Sequence, residues 1–84
     1  MKINANKDKG CIVIPCYLEE EKIREIVTAI FSYCSNVIVI DDGSHDRTTE
    51  EAISAGAKVL QHTTNYGKGI ALHTGFTYAQ RNGF

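Results

Sequence analysis

The sequence predicts an α/β fold in which a short parallel sheet is built from strands and helices in the order βαβαβα. Three observations support this. Val37-Ile38-Val39-Ile40 is continuously apolar, as is typical of a strand buried on both faces of a parallel sheet. Apolar residues at helical spacing occur on both sides of that run. Polar or turn-forming residues follow each apolar run, at the strand ends where ligands of open α/β sheets bind.

The first strand and helix are predicted between residues 11 and 31. Residues 11–14 are apolar, and we expect Pro15 to end this strand because proline cannot donate to a ladder. Residues 19–21 are glutamates, which favour the first turn of a helix because negative charge complements the helix dipole. One apolar face of that helix is formed by Ile23, Ile26, Val27, Ile30 and Phe31.

The second half of the chain continues the alternation. Ser44 or Asp46 can cap a second helix, which Gly56 would end. Residues 57–61 predict a weaker third strand, at an edge because polar residues flank its apolar pair. A loop then leads to a last helix that extends to Arg81.

Composition limits the classes of protein to consider. A chain of 84 residues is long enough for one small domain, and 43% hydrophobic with 23% charged residues argues against disorder. The net charge of −1 gives no electrostatic reason to expect nucleic acid or an anionic membrane as a partner. No apolar run approaches the roughly 20 residues that span a bilayer, and the polar start is not a secretory signal. We expect residues 1–10 to be a frayed N-terminal segment.

The cysteines indicate the redox environment. Cys11, Cys16 and Cys34 are odd in number and lack a small-protein disulfide spacing, which favours reduced thiols and a cytoplasmic location. The three histidines are scattered, so a zinc site is disfavoured.

The two acids at the end of the central strand have two interpretations. Asp42 can accept hydrogen bonds from a base N–H or from ribose hydroxyls, as acids after Rossmann strands do. Equally, Asp41 and Asp42 can do no more than cap the following turn and helix. A metal site is disfavoured, because a hard cation needs several oxygen ligands and consecutive side chains diverge from a strand end.

Gly67-Lys68-Gly69 opens the last helix and fits a phosphate group. Glycines let a ligand approach the backbone, helix N-terminal N–H groups favour anions, and Lys68 adds a positive charge. The full P-loop pattern is absent, so the alternative is a plain helix start with a solvated lysine.

Tyr17 can stack on a base or cover the sheet edge, and Glu19 can bind ribose or serve as an early-turn acid.

Three segments together resemble the start of a GT-A fold glycosyltransferase. The family is the large inverting one that includes dolichol-phosphate mannose synthases and bacterial prenyl-phosphate glycosyltransferases. The segments are Ile14-Pro15-Cys16-Tyr17-Leu18-Glu19-Glu20-Glu21, Val39-Ile40-Asp41-Asp42-Gly43-Ser44-His45-Asp46-Arg47-Thr48 and Asn65-Tyr66-Gly67-Lys68-Gly69-Ile70-Ala71-Leu72-His73-Thr74-Gly75-Phe76. Their order and spacing match the family. The resemblance implies that residues 11–84 are a Rossmann-like, three-layer half of a GT-A fold.

The resemblance also implies a function, namely transfer of a sugar from a UDP- or GDP-linked donor to an acceptor such as a prenyl phosphate. This portion would bind the donor, with Asp42 on the base and Lys68 near the phosphates. By matching position, the nucleotide-binding residues are Pro15, Tyr17, Glu19, Asp42, Gly43, Asn65, Gly67 and Lys68. Leu18 departs from the family, which usually has Asn there, and this puts polar contacts at that point in doubt.

The D-x-D motif, which holds Mg²⁺ or Mn²⁺ in the full-length family enzymes, does not occur in this sequence. In the family it lies on the next strand, with the acceptor site and catalytic base beyond it. The metal contributes several kcal/mol to stabilising the departing diphosphate. We therefore expect these 84 residues to bind no metal, to contain no catalytic residue and to have no transferase activity alone. A full-length parent is expected in the cytoplasm or at the cytoplasmic face of a membrane.

The family's strand order, 3-2-1-4, has a consequence for a chain without the fourth strand. Residues 11–14 would form an exposed apolar edge, which is a template for pairing with another chain. We expect self-association through this edge.

Two other classes of protein remain open. One is a stand-alone nucleotide-binding or regulatory α/β module without catalysis, which need not prefer nucleotide sugars. The other is a flavodoxin-like or receiver-type domain that uses Asp41 and Asp42 for Mg²⁺. That fold would need a further acid, a strand-end lysine and two more βα units, and the chain is too short for them.

Overall fold

A computed structural model of the chain describes residues 10–84. The elements follow one another as β1 (Ile12–Cys16), α1 (Ile23–Ile30), β2 (Val37–Asp41), α2 (Thr48–Ser54), β3 (Lys58–Gln61) and α3 (Lys68–Arg81). The predicted α/β fold with βαβαβα order is confirmed. The predicted frayed segment lies outside the described residues except for Gly10, which is exposed.

All three strands are parallel, in the spatial order β1-β2-β3. The register places Val39 of β2 beside Ile14 of β1 and Val59 of β3. Every residue of β2 is buried, because this strand has a neighbour on each side and helices on each face. β3 lies at an edge, as predicted.

The two faces of β2 supply two separate cores, which makes the fold three-layered. Val37 and Val39 pack with the buried residues of α1 and α2, and Ile38 and Ile40 pack with those of α3. Alternate residues of a strand point to opposite faces, so one continuous apolar run serves both layers. The helix residues buried against the sheet are Ile23, Val27, Ala52, Ala71 and Ala79.

α3 approaches the sheet closely at Gly75, which is buried. A Cβ atom added there would lie 2.2 Å from Cγ1 of Val13 and 3.2 Å from Cγ1 of Ile40. Only glycine, which has no Cβ atom, fits where α3 crosses the sheet.

The prediction that Pro15 ends the first strand is wrong, because β1 continues to Cys16. The N–H of Ile12 donates to the carbonyl of Asn36, and the carbonyl of Cys16 accepts from the N–H of Asp42. The backbone N–H and carbonyl groups of the even-numbered residues of β1 are thus directed to β2. Those of Val13 and the carbonyl of Pro15 are directed to the other side of the strand. Within residues 10–84, no strand lies on that outer side. The missing N–H of proline therefore costs no ladder bond, as is usual on an edge strand.

Two other local expectations are corrected or resolved. Residues 19–21 precede α1 rather than forming its first turn, which contains Glu25 instead. Neither candidate cap of α2 is its N-cap, which is Arg47, but Asp46 directly before it accepts at Oδ1 from the N–H of Thr48, the first helical residue, at 2.9 Å. The Ser44 hydroxyl instead accepts from the N–H of Leu18 at 2.8 Å.

The start of the described chain is fixed at the amino end of β1. The carbonyl of Gly10 accepts hydrogen bonds from Sγ of Cys34 at 3.4 Å and from Nδ2 of Asn36 at 3.0 Å.

No helix within residues 10–84 has the length and apolarity needed to cross a bilayer.

Candidate functional site

A cleft of about 320 Å³ opens where the carboxyl ends of β1 and β2 meet the start of α3. This size is at the lower end of the range for small-molecule sites, about 300–1,000 Å³. Its lining consists of Pro15, Cys16, Tyr17, Asp42, Asn65, Gly67, Lys68 and Ala71. All the residues predicted to bind nucleotide, except Glu19 and Gly43, are therefore brought together in one cleft.

Asp42 forms the floor of this cleft and also fixes the loop between β3 and α3. Its Oδ1 accepts from Nδ1 of His62 at 2.8 Å and from the N–H of Tyr66 at 3.0 Å. Its Oδ2 accepts from the N–H of Gly67 at 2.8 Å. The side chain is buried, so the three donors compensate for the loss of water around the charge.

The carboxylate of Asp42 retains capacity for a ligand. An ionised carboxylate offers about four lone-pair sites, two on each oxygen. The protein fills both sites of Oδ1 and one of Oδ2, which leaves one acceptor site. Both interpretations of Asp42 are thus compatible with this geometry, since it fixes a loop and can still accept one further hydrogen bond.

These hydrogen bonds keep Asp42 in its charged form. The hydrogen bond from His62, followed by that from the N–H of Tyr66, holds the pKa of Asp42 below its usual value. Burial opposes this effect but is the smaller influence. Asp42 is therefore an acceptor at neutral pH.

His62 is the site residue that the sequence prediction missed. Its Nε2 lies 2.9 Å from Oγ1 of Thr74 on α3, and its ring meets that of Tyr66 edge to face, with centroids 5.2 Å apart. One signal pointed to it, because His62 directly follows the third strand. The carboxyl ends of parallel strands meet at one edge of the sheet, so a side chain there can reach Asp42.

Asp41, in contrast, has a structural role. It is fully buried, its Oδ1 accepts from the N–H of Ser44 at 2.9 Å, and its Oδ2 accepts from the hydroxyl of Thr49. The capping interpretation therefore describes Asp41, whose side chain points toward α2 and away from the cleft.

Gly43 and Glu19 lie beside the cleft without lining it. Gly43 has φ +87°, and a Cβ atom there would lie 2.5 Å from the backbone carbon of Thr64. It thus lets the turn after β2 pack against the loop after β3. Glu19 is half-buried, and its N–H donates to Oγ1 of Thr48 at 2.9 Å. Nucleotide binding stays a prediction for these two residues, as it does for the six that line the cleft.

The cleft wall at the start of α3 is open and positively charged. Neither Gly67 nor Gly69 has any atom within 4 Å of where a Cβ would be, so a ligand can approach the backbone. Lys68 is exposed and forms no ion pair with any residue between 10 and 84. The first N–H groups of a helix have no partner within the helix, and they favour anions.

Tyr17 follows β1 and lines the opposite wall, and Leu18 comes next without lining the cleft. Tyr17 is 42% exposed, which leaves its ring available for stacking. Leu18 has φ +54°, the left-handed region that disfavours branched side chains and in which Asn is enriched. The departure at Leu18 therefore affects the backbone conformation directly after Tyr17 as well as the polarity there.

Comparison with known proteins identifies the family. Residues 11–82 match the family model described as Glycosyl transferase family 2. The chain belongs to this family. The expected resemblance to GT-A fold glycosyltransferases is thus confirmed.

Individual relatives are much longer than this chain. An uncharacterized protein of Methanocaldococcus jannaschii is 40% identical over 75 residues, which cover 88% of this chain and 31% of that protein. The undecaprenyl-phosphate 4-deoxy-4-formamido-L-arabinose transferase of Salmonella paratyphi B is 29% identical over 82 residues, covering 83% and 25%. The crystal structure of M. tuberculosis glucosyl-3-phosphoglycerate synthase superposes with a TM-score of 0.72 at 29% identity, covering 86% and 32%. The chain spans less than a third of each relative's length.

The described part of this family 2 glycosyl transferase does not provide a metal site. Within residues 10–84, no three His, Cys, Asp or Glu side chains cluster in a way that could hold a metal ion. The two consecutive acids diverge, with Asp41 directed to α2 and Asp42 to the β3–α3 loop. The residues present therefore do not fit the Mg²⁺ or Mn²⁺ expected for full-length relatives, and that metal stays a prediction for the longer enzyme.

Cys16 lies in the cleft wall without being a nucleophile. Burial, followed by the charge of Asp41, raises the pKa of its thiol to about 12. The thiol is therefore protonated at neutral pH and behaves as a small apolar side chain.

Proposed function

We propose that residues 11–84 form the nucleotide-sugar donor site of a family 2 glycosyl transferase. The observation that carries this proposal is the composition of the cleft. One wall bears an exposed aromatic ring, the floor bears a carboxylate with one acceptor site left, and the far wall is a helix start with a lysine. These three features match the base, the nucleoside N–H or hydroxyl groups, and the diphosphate of a nucleotide sugar.

The nucleoside would occupy the end of the cleft between Tyr17 and Asp42. The tyrosine ring can stack on a base, an interaction worth about 1–3 kcal/mol in single-stranded nucleic-acid complexes. The remaining acceptor site on Oδ2 of Asp42 can take one N–H or hydroxyl donor. Because the other three acceptor sites are filled by the protein, the carboxylate is already oriented before the ligand arrives.

The diphosphate would lie at the start of α3. The N–H groups of Lys68, Gly69 and Ile70 precede the first helical hydrogen bond, which runs from Ala71 to the carbonyl of Gly67. They can therefore donate to phosphate oxygens, with the helix dipole adding a favourable field. The ammonium group of Lys68 contributes a flexible positive charge.

The 84 residues are proposed to bind the donor without transferring the sugar. The acid in the cleft lining is Asp42, which accepts hydrogen bonds from His62, Tyr66 and Gly67, and its one remaining acceptor site is assigned to the nucleoside and not to a catalytic step. Metal, acceptor and catalytic base are proposed to be supplied by the longer protein.

We further propose a prenyl phosphate as acceptor, because a Salmonella relative is an undecaprenyl-phosphate transferase. The free thiols of Cys11, Cys16 and Cys34 support a cytoplasmic location, including the cytoplasmic face of a membrane.

An amide chemical-shift titration with UDP-glucose and with GDP-mannose, each with and without Mn²⁺, tests donor binding. We expect shifts at Tyr17, Asp42 and the amides of residues 66–69 with one of the two ligands, also without Mn²⁺. No shift at millimolar concentrations of either ligand would contradict the proposal. Equal shifts with AMP and with both nucleotide sugars would instead favour a general nucleotide-binding module.

A pair of lysine variants makes this test specific to the cleft. Lys68→Gln removes the charge at the start of α3, and Lys58→Gln removes the same charge at the amino end of β3, away from the cleft. We expect Lys68→Gln to weaken binding about tenfold, because hydrogen bonds to charged groups contribute about 1.5–3 kcal/mol. Lys58→Gln should bind like the wild type. Equal weakening by both variants would indicate only nonspecific attraction.

We also propose that this chain self-associates through the outer edge of β1. Residues 11–16 carry no charge, so two copies of this edge would not repel each other. The alternation of ladder bonds along β1 directs the backbone N–H and carbonyl of Val13 away from β2, and antiparallel pairing would let each Val13 donate to the other. Pro15 limits the pairing to a short stretch, which favours a weak dimer.

A further inference from the structure

We propose that His62 is a positioning residue for the donor site. It couples the loop that carries Gly67 and Lys68 to both the central strand and α3. This inference rests on the proposed donor binding, because the residues that His62 fixes are those assigned to the nucleotide sugar.

The hydrogen-bond chain runs through three elements. Thr74 on α3 contacts Nε2 of His62 at 2.9 Å, and Nδ1 of His62 contacts Oδ1 of Asp42, at the end of β2, at 2.8 Å. Asp42 in turn accepts from the N–H groups of Tyr66 and Gly67. The β3–α3 loop is thus held at its start by the imidazole of His62 and at its end by the carboxylate of Asp42.

Burial makes this chain a defined structure rather than a surface contact. The side chains of His62 and Asp42 are 12% and 6% exposed. Water therefore competes poorly for their hydrogen bonds, and a lost partner would leave a polar atom unsatisfied. The edge-to-face contact between His62 and Tyr66 fixes the ring from the loop side as well.

The partners determine which nitrogen carries the proton. An ionised carboxylate only accepts, so Nδ1 of His62 must donate to Asp42. In the neutral ring, Nε2 then has a lone pair, and the Thr74 hydroxyl donates to it. We therefore expect the neutral form of His62 to be the Nδ1–H tautomer.

The effect on function follows from the geometry of the loop. Asp42 holds the N–H of Gly67, and Gly67 directly precedes the three N–H groups assigned to the diphosphate. If the imidazole were free to rotate, Asp42 would lose one of its three donors and the loop would lose its link to α3. Donor affinity would then include the cost of ordering the loop.

Thr74→Val tests this chain with a substitution of nearly the same shape. Thr77→Val makes the same change one turn later on α3 and is the matched control, while Thr74→Ser should restore the hydroxyl. We expect Thr74→Val to weaken binding of UDP-glucose or GDP-mannose about threefold to tenfold, the effect of one lost hydrogen bond. The amide shifts of Tyr66 and Gly67 should move in Thr74→Val and not in Thr77→Val.

The ¹⁵N shifts of the His62 ring provide a readout that does not depend on any ligand. The wild type should show protonated Nδ1, and Thr74→Val should change the shift of Nε2. An Nε2–H tautomer in the wild type, or unchanged loop amides in Thr74→Val, would overturn the inference. If neither nucleotide sugar binds the wild type but the tautomer is as expected, the donor-site proposal fails while the hydrogen-bond chain stands.

Discussion

At Asp42, a single carboxylate both fixes a loop and faces a cleft, and its role in fixing the loop can be tested by pH. Its pKa is held below the usual value, about 3.9, first by the hydrogen bond from His62 and then by that from Tyr66. A lowered pKa means that the stabilisation is fully present above the unfolded-state value. It is lost as pH falls through the lower folded-state value.

We therefore expect the amides of Tyr66 and Gly67 to change only below about pH 4, together with the Asp42 carboxyl. Carboxyl ¹³C and amide shifts recorded against pH measure both. In His62→Ala, the midpoint should move upward toward the ordinary value because the largest lowering influence is gone. An Asp42 that titrates at or above its ordinary pKa in the wild type would contradict the assigned hydrogen bonds.

Leu18 is a second residue at which a small change should have a measurable effect. Its φ of +54° is costly for a leucine, by about 1–2 kcal/mol, and Asn tolerates this region better. Leu18 is also 40% exposed, so little burial is lost on substitution. We expect Leu18→Asn to raise the free energy of unfolding by about 0.5–1 kcal/mol, which is part of the cost of the left-handed region for a leucine.

Denaturant unfolding measures this difference. Leu18→Ala is the control, because alanine keeps a Cβ atom in the left-handed region and should bring no comparable gain. An Asn variant no more stable than the Ala variant would show that the backbone conformation is not the source of the cost.

Among the elements, α3 depends most on a single close approach to the sheet. Gly75→Ala would place a Cβ atom 2.2 Å from Cγ1 of Val13, a stiff β-branched side chain. Overpacking of this kind costs about 1–3 kcal/mol, which outweighs the helix-propensity gain of about 0.5–1 kcal/mol.

The matched control is Gly69→Ala in the first turn of the same helix, where the added Cβ would meet no atom within 4 Å. We expect Gly75→Ala to lower the unfolding midpoint and Gly69→Ala to leave it equal or slightly higher. Thermal or urea unfolding followed by circular dichroism compares the two. Equal effects would mean that α3 can shift along the sheet.

The elements that the sequence predicted correctly carry local signals. The apolar run of β2 and the helical spacing in α1 are visible in any short window, and turn residues mark the strand ends. The end of β1 was missed at Pro15, because the tolerance of an edge strand for proline depends on which side of the strand is open. That property belongs to the sheet and not to the segment.

The sequence was sufficient to predict where the cleft lies. It was not sufficient to predict the hydrogen bonds between the residues around it. Residues after parallel strands must converge, so most of the lining could be named from the sequence alone. The partner of His62 could not, because Asp42 lies 20 positions earlier and Thr74 12 positions later. No spacing rule connects those positions, and only the packing of α3 across the sheet brings them together.

For the whole molecule, the proposed self-association through the outer edge of β1 can be tested directly. Sedimentation velocity over a concentration series should show a shift from monomer toward dimer. Hydrogen exchange should show the Val13 amide becoming protected at the same concentrations, while Val39 in the central strand is protected throughout. A monomer at all concentrations with a rapidly exchanging Val13 would contradict pairing through this edge.

The hydrogen bonds that hold the carbonyl of Gly10 also determine how the chain can be attached to a surface. They fix the polypeptide at the amino end of β1, whereas the cleft opens beyond the carboxyl end of that strand. Five strand residues separate the two ends by about 16 Å. Attachment at the amino end of β1 would therefore leave the cleft facing solution, so a biosensor chip prepared in this way would present it to injected nucleotides.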